Sequence, residues 1–106
     1  METLEKSILE NYEKDVIKTE NYYKDKLVKV KEDLETLEKS NASKRTINSK
    51  KKELAKIQDK LTDLTSRKNA INDLKNNIES PDVNPDIRAE IEKYVVDTAA
   101  AEHYLE

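Results

Sequence analysis

The sequence predicts an all-α fold, and three observations carry that prediction. Ile47, Leu54 and Leu61 recur every seven residues, and Ile57, Leu64, Ile71 and Ile78 recur at the same interval three positions later. This a/d spacing lays one apolar stripe along an α-helix that packs on another helix. Gly is absent and both Pro follow Ser80, so the residues that punctuate β-rich and loop-rich folds are missing from most of the chain. Apolar residues make up 35% and charged residues 41% of the 106 positions. Scattered, those apolar residues would signal disorder; periodic, they signal long helices.

A first helix is expected over about 3–39. Leu4, Ile8, Tyr12, Val16, Thr19, Tyr23 and Leu27 advance mostly in steps of four, after which Val30, Leu34 and Leu37 alternate steps of four and three. Steps of four drift around a straight helix and widen its apolar face, whereas the alternation is a narrow seam. Leu9, Ile17 and Tyr22 widen the early face further. The first half of this helix is thus suited to two neighbours and the second half to one.

Ser40-Asn41-Ala42-Ser43 supplies residues that favour caps and turns. The same residues match a glycosylation sequon, but without a leader segment they read as a turn at 40–43. Folding the chain about Ala42 sets Leu37 against Ile47, Val30 against Leu54, Leu27 against Ile57 and Tyr23 against Leu61. Each pair places an a position opposite a d position, as antiparallel helices require. One continuous rod is the alternative. It would avoid placing Glu32, Asp33, Glu35 and Glu38 at a helix C-terminus and Lys44 and Arg45 at an N-terminus, where each opposes the helix dipole. A hairpin relieves the same conflict by bringing the two ends together.

The second helix is expected over about 44–79 and a turn over 80–84. Asn84-Pro85 then gives a cap followed by proline at the first helical position, with Asp86 in the first turn of a third helix over about 85–105. Ile87, Ile91, Tyr94, Val95, Thr98, Ala99 and Leu105 form its inner face. The end at Glu106 without a cap is what an excised segment or a cloning remnant would show. The expected architecture is a single helical domain over 1–106: a long antiparallel coiled-coil hairpin, with a shorter third helix making a three-helix bundle at its base. An arm with so narrow a core invites self-association.

The net charge of −3 conceals an asymmetry. Residues 1–40, 41–80 and 81–106 carry −3, +5 and −5, alternating signs that favour packing of each helix on the next. Lys44, Arg45, Lys50, Lys51 and Lys52 form the densest basic run. They are the candidate contacts for a nucleic-acid backbone, in a reading where the chain is a regulatory or architectural protein. The run has no aromatic residue to stack on bases and the chain is acidic overall, so a solvated helix face answering the acids of the first helix is the preferred reading.

Little else carries chemistry. With no Cys and one His, a zinc site is not expected, and Ala100 stands where a Glu-x-x-His pair with His103 needs its Glu. His103 reads as a surface residue near a helix end. Carboxylate pairs such as Glu10 with Glu13 are ordinary for a solvated helix. There is no Gly-rich phosphate loop, and no nucleophile has a histidine nearby in sequence. The expectation is a protein that is not an enzyme and uses no cofactor, metal or small-molecule substrate. No leader segment or apolar span follows Met1, which predicts a cytoplasmic protein that does not enter a membrane.

The functional expectation is therefore a coiled-coil protein–protein interaction module: an adaptor, scaffold, assembly chaperone or complex subunit that pairs with itself as a homo-oligomer or with another helical protein. Its helix-pairing seam is Leu27, Val30, Leu34, Leu37, Ile47, Leu54, Ile57, Leu61 and Leu64. Tyr22, Ile71, Leu74 and Tyr94 are the candidate contacts beyond that seam, Tyr being enriched at interfaces. A secreted or surface helical effector would share all these features.

Overall fold

A computed structural model describes residues 3–105, with side chains described for 4–102. Three helices follow in order: α1 (Thr3–Lys39), α2 (Lys44–Asn76) and α3 (Pro85–Leu105). At 1.5 Å per residue the 37 residues of α1 span about 55 Å, which accounts for the long axis of a molecule measuring 60 × 33 × 17 Å. The chain is a hairpin of α1 and α2 with α3 packed on both, and no continuous rod forms.

The turn at the hairpin tip depends on backbone groups that a helix end leaves unpaired. Asn41 adopts a left-handed conformation (φ 56°). The Ala42 amide donates to the Leu37 carbonyl at 3.0 Å and the Asn41 amide to the Glu38 carbonyl at 3.3 Å, the paired bonds of a Schellman motif. Ser43 then caps α2, its hydroxyl accepting from the Thr46 amide at 3.3 Å. The acidic end of α1 meets the basic start of α2 through Asp33 and Lys50, 3.8 Å apart.

α2 ends at Asn76, three residues before the expected Glu79. Asn77 is left-handed (φ 55°), and the Ile78 amide donates to the Asp73 carbonyl at 3.0 Å, so the same motif recurs. Ile78, the last member of the sequence heptad, consequently lies outside the helix and is 48% exposed. The buried Asp73 carboxylate holds the turn by accepting from the Ser80 amide at 2.9 Å and the Ser80 hydroxyl at 3.1 Å. In a chain without Gly, Asn takes the position where a Cβ is costly because its short polar side chain tolerates αL. Asn77→Gly is expected to raise stability by about 0.5 kcal/mol and Asn77→Ala to lower it by about 1 kcal/mol, measured by urea unfolding.

α3 begins as expected, with the Asn84 side-chain oxygen accepting from the Asp86 amide at 2.8 Å. Arg88 reaches back to donate to the Ile78 carbonyl at 2.6 Å, closing the connection.

The core lies where three helices meet. Ile8, Leu9 and Val16 of α1, Leu64, Ala70 and Ile71 of α2 and Ile91 and Val95 of α3 are buried together, with Tyr12, Tyr23, Leu74, Val83, Ile87 and Ala99 packed around them. Ile71 and Ile91 retain no exposed surface. Leu4 and Ile17, placed on the broad face from sequence, are instead exposed, because α3 covers only part of that face.

Above this base the arm has two helices only, and burial changes accordingly. Val30 and Ile57 are buried, but Leu27, Leu34, Leu37, Ile47, Leu54 and Leu61 are half-buried. Two helices cover one side of each seam residue and leave the flanks open. Among the described residues, no helix is long and apolar enough to cross a membrane.

Candidate protein-docking groove

Arg67 is the polar junction of the fold. Its Nε donates to Asp63 of the same helix at 2.8 Å, and its Nη1 donates to the Tyr12 hydroxyl of α1 at 3.1 Å and to the Glu90 carboxylate of α3. One planar guanidinium thereby ties all three helices, a geometry that a single ammonium cannot reproduce. The Asp63 hydrogen bond, followed by those from Glu90 and Tyr12, raises the Arg67 pKa against the opposing effect of burial. Arg67→Lys is expected to lose about 1–2 kcal/mol of stability in thermal and urea unfolding, since a point-like ammonium lacks the planar fork that reaches Asp63, Tyr12 and Glu90 from two different nitrogens.

Tyr12 carries the junction outward. Its ring meets Tyr94 of α3 edge to face, with centroids 4.9 Å apart and planes at 65°. Beside this pair runs an open groove of about 360 Å³ between α1 and α2, lined by Tyr12, Val16 and Thr19 on one wall, Lys60, Leu64 and Arg67 on the other, and Tyr94 at one end. Asp15 and Asp63 complete the lining. Val16 and Leu64 give the groove apolar surface, and Asp15, Lys60, Asp63 and Arg67 give it charges of both signs.

Ion pairs below and beside the groove hold its walls at fixed separation. Lys68 reaches Glu20 at 2.8 Å and Lys75 reaches Glu13 at 3.0 Å. These residue numbers total 88, against 84 for the reflection about Ala42, so the long side chains reach one helical turn along the partner helix. Glu20 is buried, and the Lys68 hydrogen bond lowers its pKa, with Lys24 adding to the effect. A depressed carboxylate pKa stabilises the fold above the unfolded-state value and loses that contribution as pH falls through the folded one. Glu20→Gln is accordingly expected to cost about 1–2 kcal/mol at pH 7, with the difference from the parent shrinking below about pH 4.5 in urea titrations.

The sequence-predicted contacts fall into separate places. Tyr22 is 60% exposed and packs edge to face on Tyr23 at 5.1 Å, close to the groove wall. Tyr94 is partly exposed at the end of the groove. Ile71 is a correction: it has no exposed surface and serves the internal core, so no outside partner reaches it. Leu74 is half-buried against the same core.

Within the basic run, Lys44, Arg45, Lys51 and Lys52 are exposed. Lys44 and Lys51 are seven apart and share one helix face, Arg45 and Lys52 share another, and Lys50 turns inward, half-buried, to Glu53 at 3.1 Å and to Asp33. Lys50 is thus engaged within the chain, bridging the two helices of the arm.

The junction of Arg67 with Tyr12, Asp63 and Glu90 was not foreseen from sequence. One signal was available: three Arg stand among many Lys, and two of them, Arg67 and Arg88, fix α3 to the hairpin through forked donors. Among the described residues, no group of three His, Cys, Asp or Glu side chains could hold a metal ion. The expected surface position of His103 and inner position of Leu105 lie outside the described side chains. Comparisons with protein-family models, curated protein sequences and solved structures return no match.

Proposed function

We propose that this chain is a non-enzymatic helical interaction module that receives a further helix along the groove and the half-covered arm above it. The observation that carries this reading is the contrast within one seam. Leu27 and Leu34 of α1 and Leu54 and Leu61 of α2 are left half-exposed by the two helices of the arm, whereas the residues that continue their heptad lines into the base, Glu13, Glu20, Lys68 and Lys75, are closed by the ion pairs Lys68–Glu20 and Lys75–Glu13. A helix laid along that flank would cover them as α3 covers the base, which is how amphipathic helices engage hydrophobic grooves.

Two further features support the reading. Tyr22 and Tyr94 present large, stiff side chains with polar tips beside the groove, suited to anchoring a partner. The polar groups around Arg67 are engaged in holding helices together, beside a groove that is open on one side.

A photo-crosslinking residue at Tyr22, compared with one at the exposed Lys14, tests the proposal in the cell of origin. Adducts to a second copy or to another helical protein at position 22 and none at position 14 are expected. Equal, background-level adducts at both positions would overturn it.

A further inference from the structure

The charges divide along the long axis of the molecule. Residues 24–60, which form the arm, hold twelve Lys and Arg against seven Asp and Glu, a net +5. The remaining described residues, which form the base with α3, hold eight against fourteen, a net −6. Residues 24–39 hold five Lys against five Asp and Glu, so α2 supplies the whole excess of the arm, and hairpin folding places it towards one end of the 60 Å long axis with the acidic α3 towards the other.

Thickness divides in the same way. The base has three helices and the arm two, so each molecule is a step: thick and acidic at one end, thin and basic at the other. Two such steps placed antiparallel fill each other's thin ends. The acidic α3 of each copy then lies against the basic, half-covered arm of the other. A parallel pairing would set base on base and arm on arm, opposing like charges in both places. Exposed apolar residues suit the antiparallel contact, since Val96 lies on the outer surface of α3 and Tyr22 flanks the arm.

We infer that the chain forms a two-fold, antiparallel homodimer in which the arm of each copy docks on α3 of the other. This inference rests on the interaction-module reading and names its partner as a second copy. Two-fold closure uses both docking surfaces of each molecule and leaves no open chain of contacts.

Sedimentation equilibrium supplies the first test. Twice the 12.3 kDa chain mass is expected at low salt. The dissociation constant is expected to rise by at least about tenfold between about 0.01 M and about 1 M salt, as the screening length falls from ~30 Å to ~3 Å. Charge reversal supplies the second. A variant with K51E, K52E and K56E and a variant with D97K and E102K, all at exposed positions, should each be monomeric with unchanged helicity. Mixed one to one, they should form a heterodimer, a rescue that misfolding of either could not produce. Nitroxides on Asn48→Cys then report orientation. They should lie about 40 Å apart, from a 60 Å molecule with Asn48 about 9 Å from the tip.

A monomer at every salt concentration, a dimer indifferent to salt, absence of rescue, or labels within about 20 Å would each overturn the antiparallel dimer. If Tyr22 crosslinks to a different helical protein while the chain sediments as a monomer, the homodimer is overturned and the interaction-module reading stands. If Tyr22 crosslinks to nothing, that reading fails with it.

Discussion

Replacing Ile57 and Leu64 together by Asp is expected to unfold the chain. Ile57 and Leu64 are 4% and 5% exposed, one in the arm and one at the edge of the base core. A buried carboxylate without a partner costs several kcal/mol, either as desolvation or as the work of protonating it at neutral pH. Two such costs approach or exceed the roughly 5–15 kcal/mol that stabilises a domain of this size. Far-ultraviolet circular dichroism at 222 nm should show most of the helix signal lost at 25 °C. Unchanged helicity in the double variant would mean that the α1–α2 seam does not hold the hairpin.

Ile91→Ala is expected to lower stability by about 2–5 kcal/mol, the range for emptying a large buried aliphatic site. Ile91 has no exposed surface and is the central apolar contact that α3 makes with the base. A 21-residue helix has little stability of its own in water, so weakening this contact should melt α3 first and leave the hairpin helical. Val96→Ala on the same helix, at a position 63% exposed, should change stability by less than about 0.5 kcal/mol. Equal losses for the two variants in urea unfolding would contradict the placement of α3.

Much of this architecture was legible in the chain because it is written in periodicity. The a/d spacing from Ile47 to Ile71 marks the packing face of α2, and Asn84-Pro85-Asp86 marks the start of α3. The dipole conflict between Glu38 and Lys44 pointed towards a rod, yet the Asn41 turn and the Asp33–Lys50 pair accommodate it in a hairpin. What periodicity could not convey was where α2 stops. The heptad continues to Ile78, but the left-handed Asn77 and the capping of Ser80 by Asp73 end the helix earlier.

The candidate site was less legible, for a different physical reason. Ile71 and Leu61 are both members of the apolar seam, but Ile71 continues the buried line of Ile57 and Leu64 whereas Leu61 continues the half-buried line of Ile47 and Leu54, a difference that only the packed helices show. Arg67, Tyr12 and Glu90 are 55 and 23 residues apart in sequence, counting from Arg67, and converge only after all three helices have packed. The charge dipole was equally hidden. The three blocks of the linear sequence coincide with α1, α2 and α3, and only the folded hairpin shows that the positive excess of residues 44–60 stands at the far end of the molecule from the acidic α3.

Native-state hydrogen exchange followed by mass spectrometry, as a function of protein concentration, tests most directly whether the arm is completed by another helix. The two-helix arm should exchange faster than the three-helix base in dilute protein, because local opening exposes fewer buried contacts there. Peptides from 24–60 should then gain protection as concentration rises or a partner is added, while those from 64–76 stay unchanged. Arm and base equally protected at the lowest concentration would contradict the account, since the arm would need nothing further to cover it.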